Sequence, residues 1–133
     1  MKLMKIDQER NFSLLLPVYL EEDHNCLLEC LTSIAAQSVL PSEVIMWIDK
    51  KISAEVRKTF EDFSEILFFK YVTYSGNSQL GGSLNLGVIS CQNETIIRMD
   101  ADDICYPNRF EVLLQEFRKS NYDLLGSWTE EFN

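Results

Sequence analysis

The chain has no CxxC pair, no basic stripe and no apolar run long enough to cross a bilayer, and each absence removes a class of function. Its four cysteines, Cys26, Cys30, Cys91 and Cys105, are scattered. With a single histidine, His24, they fall short of four zinc ligands in a recognised spacing. They read instead as small buried hydrophobes with free thiols, and His24 as an exposed residue at a helix start. The run Leu14 to Leu20 is interrupted by Pro17 and is far shorter than the roughly 20 residues of a membrane helix. Met1 to Arg10 is mostly charged and polar, with no apolar stretch or small-residue cleavage site of a secretory signal, so the expected location is inside the cell. No internal repeat or low-complexity segment is present.

What is there suits one folded domain spanning residues 1–133, because 46% of the residues are apolar. The formal charge of -9 repels a long anionic polymer, which argues against nucleic acid as a partner. A small anionic ligand such as a nucleotide would need a divalent cation to bridge it to so acidic a chain.

Apolar segments alternate between strand and helix character. Phe12 to Leu16 is a short continuous run ending at a proline, as for a strand buried on both faces. Asn25 can cap a helix carrying Leu27, Leu28, Leu31, Ile34 and Ala35 at helical spacing, which ends before Pro41. Glu43 to Ile48 (EVIMWI) predicts a second strand. Ser53 reads as the cap of a helix burying Val56, Phe60 and Phe63, and Ile66 to Thr73 as a third strand. Ser75 to Gly82 reads as a loop, followed by a helix from Ser83 to Ser90. A strand from Thr95 to Met99, a helix from Asn108 to Lys119 and a last strand from Leu124 to Trp128 complete the pattern. The expected class is α/β, a mainly parallel sheet with helices on both faces. Ligands of such sheets gather beyond the carboxyl ends of the strands, which directs attention to residues 17–22, 49–51, 74–82 and 100–105.

Asp100, Asp102 and Asp103 follow the fourth strand at that edge. Carboxylates so close repel one another, and bound Mg²⁺ or Mn²⁺ relieves the repulsion while offering open positions to phosphate oxygens. The alternative is a solvated acidic turn in which Asp103 or Asn108 caps the next helix.

The stretch from Arg98 to Phe110 (RMDADDICYPNRF) resembles the DxD segment of family 2 glycosyltransferases. Phe12 to Tyr19 (FSLLLPVY) looks like that family's first strand and Pro-Val-Tyr turn. Leu28 to Ile34 with Gln37-Ser38 is similar to its first helix, and Leu80 to Gly87 (LGGSLNLG) to the helix before the DxD strand. The four motifs occur in family order between Phe12 and Trp128. The resemblance implies a Rossmann-like GT-A nucleotide-diphospho-sugar transferase fold and an inverting hexosyl transfer. The donor would be a nucleoside diphosphate sugar, UDP-linked, and the acceptor a saccharide or lipid-linked saccharide in polysaccharide or lipopolysaccharide synthesis at the inner membrane face. It also implies that Asp102 coordinates Mn²⁺ or Mg²⁺ at the diphosphate, with Asp100 beside the ribose and metal. Asp49 would accept from the base, Pro17, Val18 and Tyr19 would wall its pocket, and Glu21 or Glu22 would approach base or ribose. For Tyr19 a half-buried aromatic at a strand end is an equal reading.

The chain departs from the family where Lys50, Lys51 and Ile52 follow Asp49 in place of aspartate, glycine and serine, and where Leu20 replaces an asparagine. The family's catalytic base comes well after the DxD, so Glu130 and Glu131 stand too early for it, and donor binding without efficient transfer is expected of a C-terminally truncated chain. A phosphatase of the haloacid dehalogenase type is excluded, because its DxD lies on the first strand. A non-catalytic nucleotide-binding or interaction module is the remaining competitor. Trp128 is expected to pack in the core; alternatively, with Phe132, it covers a sheet face by self-association into a homodimer.

Overall fold

The computed structural model describes residues 11–19, 23–49, 52–74 and 80–132. The chain alternates β1 (Ser13–Val18), α1 (His24–Ala35), β2 (Glu43–Asp49), α2 (Ala54–Phe63), β3 (Phe69–Tyr74), α3 (Leu80–Ser90), β4 (Ile96–Arg98) and α4 (Arg109–Lys119). The four strands form one parallel sheet in the order β3-β2-β1-β4. After stepping outward from β1 to β3, the chain returns to the other side of β1. This reversal leaves a crevice between the carboxyl ends of β1 and β4.

Every residue of β1 is buried, as its unbroken apolar run requires of a strand covered on both faces. Leu14, Leu16 and Val18 share a cluster with Val44, Met46 and Ile48 of β2, Leu27, Leu31 and Ile34 of α1, and Val56 and Phe60 of α2. Phe110 and Leu114 bring α4 into that cluster, and the Phe110 ring meets Phe12 edge to face at 5.5 Å between centroids. On the other face α3 lies across β1, β2 and β3. Gly87 permits that approach: a Cβ there would stand 2.5 Å from a Leu15 methyl. At the amino ends of the strands, Ser13 and the Gln92 backbone both donate to Glu43, and Asn93 Nδ2 reaches Ser13 and Ser42. This fixes the turn that launches β4.

Several boundaries differ from expectation. Asp23, not Asn25, caps α1, its carboxylate accepting from the Asn25 backbone at 2.7 Å. Ser53 does cap α2, accepting from Val56 N at 3.1 Å. The third strand begins at Phe69, and Ile66 and Phe68 are left exposed before it. Leu80, Gly81 and Gly82 belong to α3 rather than to a loop, against glycine's low intrinsic helix propensity. Residues 124–128 form no strand, and Trp128 is fully exposed, not in the core. Cys30 and Cys105 are buried, whereas Cys26 and Cys91 are only partly so, and none of the four forms a disulfide. His24 opens α1 and is exposed.

Candidate functional site

The crevice is lined on one side by the end of β1. Pro17 and Val18 are buried, and Tyr19 is exposed, its ring edge-on to Trp47 at 6.4 Å. Asp49 is the last residue of β2, in register with Tyr74. Leu20, Glu21, Glu22, Lys50, Lys51 and residues 75–79 lie outside the described residues.

On the other side stands the acidic segment. Met99 N donates to Leu15 O at 3.1 Å, carrying the pairing of β4 one residue beyond the strand. Met99 and Ala101 then face the core, at 3% and 2% exposure, whereas Asp100 is partly exposed and Asp102 exposed. Asp103 N donates back to Asp100 O at 3.2 Å, closing a tight turn. Three carboxylates therefore share one short segment. Asp100 is ion-paired with Arg98 at 2.7 Å, both side chains roughly half exposed. Desolvation, then the charges of Asp102 and Asp100, push the Asp103 carboxyl above its ordinary value, against the pull of Arg109. A cation placed here would relieve that repulsion.

The segment is held from behind by α1. Cys30 Sγ donates to Asp100 O at 3.7 Å, Cys105 N donates to Ser33 Oγ at 3.0 Å, and Ser38 N donates to Pro107 O at 2.9 Å. Gln37, 7% exposed, donates from Nε2 to Tyr106 O at 2.7 Å and to Ser33 O at 3.2 Å, while its Oε1 accepts from Phe110 N at 3.1 Å. That last bond caps α4 from a distance, for neither Asp103 nor Asn108 does so: Asn108 stands at the cap position without a side-chain cap bond. Beyond the turn, a cleft of about 460 Å³ opens between residues 103–109 and 127–132, with Trp128 on its rim. Sequence reading assigned no role to Arg98, Arg109 or Gln37. The available signal for Gln37 was its place four residues after Ser33, just past the end of α1.

Hard carboxylate oxygens fit Mg²⁺ or Mn²⁺, which take one or two carboxylates and complete their shells with phosphate oxygens and water. Among the described residues no three His, Cys, Asp or Glu side chains converge as a ready cage, and a cation shared with a diphosphate needs none.

A family model described as glycosyl transferase family 2 matches residues 13–133. The chain is 38% identical over 128 residues to the Escherichia coli UDP-Gal:alpha-D-GlcNAc-diphosphoundecaprenol beta-1,3-galactosyltransferase, covering 95% of this chain and 46% of that protein. It thus spans under half the relative's length. Its fold superposes on S. aureus TarS 1–349 in complex with UDP with a TM-score of 0.71 at 20% identity, covering 91% of this chain and 38% of that one. A mannosyltransferase from Pyrobaculum calidifontis, in complex with GDP-Man and Mn²⁺, superposes with a TM-score of 0.60 at 19% identity, covering 77% and 30%. The parallel sheet, its flanking helices and these neighbours make the fold GT-A. By the match of the family model over all but the first residues, the chain belongs to glycosyl transferase family 2.

Proposed function

We propose that this chain holds the donor of a sugar transfer, a UDP-linked hexose, by way of a divalent cation at Asp102 and Asp100. The observation that carries the reading is the pair of outward-facing carboxylates at the carboxyl end of β4, beside the crevice where the sheet reverses. In this reading Asp102 and Asp100 hold Mn²⁺ or Mg²⁺ against the diphosphate, and Arg98 keeps Asp100 oriented. The cation, when bound, neutralises charge on the departing diphosphate. Tyr19 offers an exposed ring to the base, Pro17 and Val18 form the floor behind it, and Asp49, at the end of β2, accepts from the base; the sequence alone proposes Glu21 as a further contact to base or ribose.

The E. coli relative is named for UDP-Gal and a GlcNAc-diphosphoundecaprenol acceptor, and one structural neighbour holds UDP and another Mn²⁺. These support UDP as nucleotide, a lipid-linked saccharide as acceptor and a place at the inner membrane face for the whole enzyme, in cell-surface polysaccharide or lipopolysaccharide synthesis. No helix of the described residues is long and apolar enough to cross a membrane. No side chain described here is assigned as the base that deprotonates the acceptor.

Calorimetric titration of UDP with and without Mn²⁺ tests the proposal. Binding should require the metal and disappear in Asp102→Ala. A folded protein that binds none of UDP, GDP and dTDP would overturn the donor site. Glycosyl transfer or donor hydrolysis would separate an enzyme from a module that only binds nucleotide.

A further inference from the structure

We propose that Gln37 is a positioning residue for the acidic segment, setting its backbone so that Asp100 and Asp102 meet a cation-bound diphosphate; this rests on the donor-site reading above. Gln37 lies 93% buried among atoms that use its whole amide group: two carbonyls, Ser33 O and Tyr106 O, and one N–H, that of Phe110. A buried amide with both ends engaged tolerates one orientation only. The bonds reach backbone atoms on either side of Pro107. With Cys30 on Asp100 O, Ser33 on Cys105 N and Ser38 N on Pro107 O, α1 and the turn that follows it grip the main chain at residues 100, 105, 106, 107 and 110. None of these bonds uses the carboxylates of Asp100, Asp102 or Asp103, though Asp100 is paired with Arg98 through one oxygen.

That division matters because the carboxylates repel. A segment bearing them on a freely moving backbone would spread, and closing it round a cation would cost the ordering again at each binding event. Held from behind, it keeps its shape without ligand, as groups behind metal ligands commonly do.

The test uses Gln37→Met, of similar length without polar atoms, and Gln37→Glu, which keeps an acceptor for Phe110 N but turns a carboxylate on the carbonyls of Ser33 and Tyr106. Ser33→Ala, which removes a single contact, serves if both disturb folding. Backbone hydrogen exchange is followed without ligand, and UDP is titrated in Mn²⁺ and in EDTA. In folded variants, exchange over residues 100–109 should rise while β1 to β3 stay protected. The gain in UDP affinity that Mn²⁺ confers should fall by about tenfold, with the EDTA value unmoved. The Glu variant should still protect the Phe110 amide. Wild-type exchange over residues 100–109 in a folded Glu variant, or an undiminished Mn²⁺ gain, would overturn the proposal. Should the wild-type protein itself show no Mn²⁺ gain, the donor-site reading fails, and the role of Gln37 with it.

Discussion

Asp103 holds its proton more tightly than a free carboxyl. Burial and two neighbouring negative charges push its pKa up, so the folded chain holds that proton at pH values where the unfolded chain has released it. The folded state binds more protons through this interval. Stability therefore drops as pH rises from about 4, the ordinary carboxylate value, through the raised one. Asp103→Asn should remove this dependence: thermal melts of mutant and wild type should agree near the acid end and separate in the mutant's favour by neutral pH. Equal melting at every pH would show that solvent screens the cluster more than its geometry suggests.

At the scale of elements, what was legible in the sequence followed how far each signal depends on neighbours. The cap at Ser53 and the buried run of β1 are local, and both stand where the residues put them. That Asp100 and Asp102 follow the end of β4 was legible from the apolar run before them. The contacts of Gln37 were not, because its partners are backbone atoms, which every residue possesses and no composition reveals. Ile66 and Phe68 show the opposite failure: apolar side chains that a strand pattern claims, left outside by the pairing of Phe69 with Val44. The start of α3 was missed at Gly81 and Gly82 because glycine's intrinsic preference speaks against a helix. Gly87, farther along α3, makes a close approach to β1 with a measurable consequence. The displaced Leu15 is 2% exposed and has little room to move, so Gly87→Val should destabilise the fold by about 1–3 kcal/mol in urea unfolding. A neutral result would mean that α3 can ride away from the sheet.

For the whole molecule the dominant number is the charge of -9. UDP without metal approaches a like-charged body, so its binding should strengthen when ionic strength rises from about 0.01 to 0.15 M and the screening length shrinks from about 30 to about 8 Å. In Mn²⁺ the same change should weaken binding, because the attraction at the cation is then what salt screens. Titrations at the two ionic strengths check this. Weakening by salt in both cases would assign nucleotide recognition to a local cationic group in place of the acidic segment.

The grip of α1 on the acidic segment also has a kinetic side. The bonds from Cys30, Ser33 and Gln37 to residues 100, 105, 106 and 110 span sequence separations of 69 to 73 residues. Contacts that distant form only after a large loop has closed, and they are slow to appear. Segment 100–110 therefore settles late: during refolding, α1 and the first strands must dock before the carboxylates acquire their arrangement. On refolding, UDP binding in Mn²⁺ should therefore return after the far-ultraviolet circular dichroism signal, and simultaneous recovery of the two would contradict late settling of the segment.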